Sequence, residues 1–123
     1  MQTAIDELKK LTSGSIHIGL NSNDYAASPL YKLKGATHHV FDGPHPAGNV
    51  GIQIHHVSPI KKGEIVWTIN AIDLTAIGKL FQKGIYDLSR TIAIAGPQEK
   101  RPCYVKSLPG MPVKEILYIV ETQ

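Results

Sequence analysis

Residues 40–81 read VFDGPHPAGNVGIQIHHVSPIKKGEIVWTINAIDLTAIGKLF, and the fold turns on how this stretch is parsed. It offers a glycine- and proline-rich turn, Gly43-Pro-His-Pro-Ala-Gly48, then an apolar stretch, then β-branched and aromatic residues, then a helix with clear ends. Glu64–Ile69 (EIVWTI) has the composition of a strand. Asn70 has Asp73 three residues on, which marks a helix start. Ile77, Leu80 and Phe81 form its inner face and Gly84 ends it. Gly78 inside that helix costs about 1 kcal/mol against alanine, which points to close helix–sheet packing. Asn49–Val57 (NVGIQIHHV) is ambiguous between helix and strand by periodicity. Asn49 as a cap and Pro59 as a terminator favour a helix. Asp42-Gly43 and His45-Pro46 break any continuation of the preceding THHVF, Thr37–Phe41, which reads as a short strand.

Working outward, Thr3–Leu11 places Ala4, Ile5, Leu8 and Leu11 on one helical face, with acids early and lysines late as the helix dipole prefers. Thr3 with Asp6 resembles a capping pair, and Gly14 supplies the stop. Ser15–Leu20 alternates Ile16, Ile18 and Leu20 with Ser15, His17 and Gly19, a period-2 strand. His17, on the small face, reads as a satisfied rim residue rather than a ligand. Residues 21–33 carry turn chemistry and a weak helical pattern at best. Toward the other end, Arg90–Ala95 is a strand, 96–102 a turn, Cys103–Leu108 an antiparallel return, and Pro112 opens a final helix.

The resulting order is α-β-(β)-α-β-α-β, then a hairpin and a helix. Strand–helix alternation predicts an α/β class, with a Rossmann-like three-layer partial sheet in residues 1–88. Residues 89–123 read as the start of a β-grasp unit, cut short.

Composition excludes several classes. Apolar content of 42% with 19% charged residues is globular. The formal charge is +3, but thirteen Lys and Arg are scattered as pairs among ten acids, a solvated mixed surface rather than a nucleic-acid stripe. Cys103 is alone, so the chain makes no internal disulfide, thiolate zinc site or iron–sulfur cluster of its own. No apolar run approaches the roughly 20 residues of a bilayer span, and Met1 is not followed by a signal-peptide pattern. A soluble chain is expected, reaching any membrane through partners.

Chemistry is sparse. His45, His55 and His56 suggest a metal cluster only until spacing is considered: adjacent residues do not share a helix face, and no His-x3-His pair exists. No metal site is expected. The Gly43–Gly48 turn lacks G-x-G-x-x-G and the P-loop Lys-Ser/Thr, and its prolines remove donors. G-x-S-x-G and other nucleophile arrangements are absent. The residues alone describe an α/β scaffold without visible catalysis.

HVFDGPHPAGNVGIQIHHVSPI, VWTINAIDLTAIGKLFQKG and IAIAGPQEKRPCYVKSLPG closely resemble the A subunit of the sodium-translocating NADH:quinone oxidoreductase. More distantly, the layout is similar to the C subunit of the Rnf complex and the flavin-binding, NADH-oxidising subunit of respiratory complex I. Those proteins are several times longer, so the resemblance implies an internal fragment. It implies a non-catalytic, flavin-free piece of a bacterial sodium-transporting complex on the cytoplasmic side of the inner membrane. The piece would be peripheral through membrane partner subunits, with ubiquinone as a candidate contact. The glycine-rich flavin loop and cluster cysteines of the complex I relative are missing here, so NADH or flavin binding does not carry over. The alternative from another class is a free-standing nucleotide- or flavin-binding redox module. Gly43, His45, Pro46 and Gly48 are the candidate quinone or partner contacts, because a loop rigidified by two prolines suits recognition. A turn used only for chain reversal is the competing reading.

Overall fold

A computed structural model describes residues 1–97 and 101–121. The chain divides into two compact units, Met1–Ile85 and Tyr86–Gln123. Within these residues it is mixed α/β.

In the first unit, β1 (His17–Asn21) and β2 (Thr37–Phe41) pair in parallel, with His17 opposite Thr37 and Asn21 opposite Phe41. Parallel neighbours need a crossover, and residues 22–36 supply it as two 3-10 turns, Tyr25–Ala27 and Pro29–Lys32, rather than a helix. Ser28 Oγ accepts from the Leu30 amide and Pro29 opens the second turn. Alternation sends Ile18 and Leu20 to one face of the pair. There they are buried with Ala4 and Ile5 of α1 (Gln2–Leu11), Leu33 of the crossover, and Leu74 of a helix farther along the chain.

That helix, here α3 (Ala71–Lys83), begins as its sequence indicates. Asn70 Oδ1 accepts from the Asp73 amide at 2.9 Å, and Asn70 Nδ2 donates to Asp73 Oδ2 at 2.6 Å. Gly84, at φ 68°, closes it with its amide on the Leu80 carbonyl. The helix α2 (Val50–Val57) resolves the ambiguous stretch as helix, with Asn49 at its N-cap position but making no side-chain cap bond.

Several expectations are corrected. EIVWTI is not a strand; residues 64–70 join no ladder, and Ile65 and Trp67 are 84% and 86% exposed. β-propensity expresses fit to a half-buried pleated surface, and among the described residues no strand lies alongside to provide one. Among the described residues the parallel sheet therefore has two strands. Thr3 and Asp6 do not cap α1: Met1 is the N-cap, without a side-chain bond. Thr3 Oγ1 instead accepts from Gln82, and Asp6 from Gln2. Gly14 is not the helix stop, which comes at Thr12 in extended conformation. Gly78 packs helix on helix rather than helix on sheet, since a Cβ there would lie 3.2 Å from the Met1 nitrogen and 3.7 Å from Ala4 Cβ. Leu74 and Ile77 face the core, whereas Leu80 and Phe81 are exposed.

The second unit holds an antiparallel pair, β3 (Arg90–Ile94) and β4 (Cys103–Ser107), with Ile92 opposite Val105. The helix α4 (Val113–Glu121) follows, its first turn receiving Glu115 and Ile116 amides on the Pro112 carbonyl. Val105 and Ile116 are buried, as is Ser107, whose hydroxyl donates to the Leu108 carbonyl. Residues 98–100 of the expected 96–102 turn lie outside the described residues. No helix among the described residues is long and apolar enough to cross a membrane.

Candidate functional site

Parallel strands deliver their carboxyl ends to one edge, and ligands of open α/β sheets bind in the crevice there. In this chain β1 ends at Asn21 and β2 at Phe41. Between the residues that follow them lies a crevice of about 250 Å³. Its lining comes from Gly19, Leu20, Asn21 and Asn23 around the end of β1, from Phe41 to Gly43 at the end of β2, and from Ala47, Gly48 and Gln53 beyond.

Local hydrogen bonds fix each wall. Ser22 hydroxyl and the Gly43 amide both donate to Asp42 Oδ1 at 2.9 Å, while the Ser22 amide extends the strand pair by reaching the Phe41 carbonyl. Asn21 Oδ1 accepts from the Asn23 amide in an Asx turn. The turn at 43–48 is closed by the Ala47 amide on the Pro44 carbonyl and the Asn49 amide on the Pro46 carbonyl. Gly43 takes φ 125°, a conformation that favours glycine. Gln53 of α2 latches this turn by donating to the Ala47 carbonyl at 3.2 Å. Its amide oxygen sits over Gly19, where any side chain would collide with it.

The crevice is thus polar, with a pinned carboxylate, amide side chains and one phenyl ring. A carboxylate at the rim opposes phosphate by like charge, whereas hydroxyl, carbonyl and amide groups of a neutral ligand find both donors and acceptors. Among the described residues no group of three or more His, Cys, Asp or Glu is placed to hold a metal ion.

Of the residues singled out in the sequence, Gly43 and Gly48 line the crevice, whereas His45 and Pro46 of the same turn are exposed and do not. The four therefore share one loop, of which two residues line the crevice. Asn21, Asn23, Asp42 and Gln53 escape sequence reading because they converge from distant segments. The available signal was positional: Asn21 and Asp42 mark the ends of two strands. His55 and His56 stack edge-on at 5.8 Å on exposed helix surface, away from any shared focus.

His17 is satisfied, as a rim residue should be, but by an unforeseen partner. Its Nδ1 lies 2.9 Å from His39 Nε2, with ring centroids 5.1 Å apart. Both project from the face of β1–β2 opposite Ile18 and Leu20.

Comparison with known proteins gives these features a family. The profile of the NqrA second alpha/beta domain matches residues 1–86. The A subunit of the Na(+)-translocating NADH-quinone reductase of Pasteurella multocida (strain Pm70) is 34% identical over 115 residues, covering 94% of this chain and 25% of that protein. The corresponding protein of Yersinia pestis is 35% identical over 109 residues, or 89% of this chain and 24% of its own length. That of Vibrio atlanticus (strain LGP32) is 33% identical over 112 residues, 91% of this chain and 24% of its own. The chain spans about a quarter of the length of these relatives. It belongs to the family of the NqrA second α/β domain, from the A subunit of the Na(+)-translocating NADH-quinone reductase.

Proposed function

We propose that the chain serves as a non-catalytic piece of the A subunit in a bacterial sodium-translocating NADH-quinone reductase. It docks on the cytoplasmic side of membrane partner subunits and carries no flavin. Residues 1–88 act as the second half of a Rossmann-like domain and 89–123 as the entry to a β-grasp domain. The loop bearing Gly43, His45, Pro46 and Gly48 contacts quinone or a partner subunit. The observation that carries this reading is the family match over residues 1–86, joined to a crevice whose rim is a carboxylate rather than a phosphate-binding loop.

Hydrogen exchange tests the contact. In the assembled complex the amides of Gly43, His45 and Gly48 should exchange more slowly than in the chain alone. Equal rates in both would contradict it. The alternative, a free-standing nucleotide- or flavin-binding module, is separated by calorimetry. The isolated chain should bind neither FMN nor NADH; a micromolar dissociation constant for either favours the alternative.

A further inference from the structure

The open face of β1–β2 holds a histidine pair that the proposed role in the complex does not use. His39 sits in register with Gly19, not with His17, whose own partner is Thr37. Gly19 has no side chain, so nothing from β1 stands directly beside the His39 ring. The ring instead reaches the diagonal neighbour, His17, and the two near nitrogens stand 2.9 Å apart. Gln53 occupies the space above Gly19, and Phe41 flanks His39 farther along the strand, at a centroid distance of 6.4 Å.

Two imidazole nitrogens brought this close from neighbouring strands can also turn their lone pairs toward one shared ion. Imidazole suits first-row transition cations, and Ni2+ and Cu2+ stand at the tight-binding end of their affinity series. We propose that His17 Nδ1 and His39 Nε2 form a two-histidine chelate for a divalent first-row transition cation, Cu2+ or Ni2+, on this face of the sheet.

In the metal-free chain the near nitrogens share one N–H. On binding, the ring carrying it changes tautomer, so each imidazole keeps its proton on the far nitrogen, His17 Nε2 and His39 Nδ1, and offers a lone pair inward. Each ring then turns off the direct nitrogen–nitrogen line to aim at the shared ion. No third side chain of ligating type completes the set among the described residues, so water fills the other positions. Both rings come from a hydrogen-bonded parallel pair, which holds their spacing. His55 and His56, adjacent on one helix, cannot converge in the same way.

Calorimetric titration of the whole chain, carrying no affinity tag, with CuCl2 or NiCl2 tests this. One ion per chain is expected. His17→Gln and His39→Gln should each weaken binding at least tenfold, while His55→Gln and His56→Gln leave it unchanged. Cu2+ EPR should show two equatorial imidazole nitrogens in the parent and fewer in the first two variants. Added Ni2+ should raise the melting temperature of the parent but not of those variants. If either variant fails to fold, selective Cu2+ broadening of the His17 and His39 ring resonances in the parent decides the matter. Unchanged affinity in His17→Gln and His39→Gln, or broadening confined to His45, His55 and His56, overturns the proposal.

Discussion

Asn70 shows what one side chain contributes. It caps α3 by accepting the Asp73 amide and returns a bond to the Asp73 carboxylate, so Asn70→Ala leaves a first-turn donor unpaired. The loss should be about 1 kcal/mol, seen as a lower urea midpoint with an unchanged slope; an unchanged midpoint would show that the cap adds nothing. Asn70 and Gly84 were legible because a cap is a local device, specified by residues within one turn. Thr3 and Asp6 show the limit of that logic. The same local pattern stands at the start of α1, but Gln82 and Gln2 claim the two side chains, and Gln82 is remote in sequence. The His17–His39 bond was illegible for the same reason, since strand register rather than spacing brings the rings together.

At the scale of elements, the helices and four of the five expected strands follow from period and punctuation. The exception, EIVWTI, fails because a strand needs a neighbour as well as β-branched residues. The candidate site is also a matter of elements. Gln53 couples α2 to the 43–48 turn through the Ala47 carbonyl, and Gly19 on β1 leaves room for it. Gln53→Ala should therefore lower stability by about 0.5–1.5 kcal/mol and speed amide exchange at Ala47 and Asn49, the amides whose bonds close the turn. Gly19→Ala should produce the same faster exchange by pushing Gln53 aside, even though residue 53 is untouched. Exchange at these amides that stays at the parent rate in both variants would show that the turn holds its shape without the latch. The glycine- and proline-rich turn itself was visible as a turn. Its place beside Asn21 and Asp42 depended on the parallel pairing of β1 with β2.

For the whole molecule, the small buried set around Ile5 and Leu20 contrasts with apolar side chains left in water from Ile65 to Ile72. Trp67, the sole tryptophan, should emit as a solvated indole in the isolated chain, and Trp67→Ala should change its stability by no more than about 0.5 kcal/mol. A blue-shifted emission, or a larger loss, would mean that this segment is packed. Family membership was legible from the sequence because FDGPHPAG and VWTIN are distinctive strings; the use of the loop is a question about the assembly. The loop of Gly43, His45, Pro46 and Gly48 is proposed to serve contact rather than the fold, and His45→Ala, placed in the A subunit of the assembled complex, decides between the two. Quinone reduction or assembly of the complex should fall, while the melting temperature of the chain alone stays within a degree or two of the parent, as expected for an exposed surface residue. Melting that drops by many degrees, with assembly and turnover intact in the folded remainder, would overturn that assignment and make the loop a part of the fold alone.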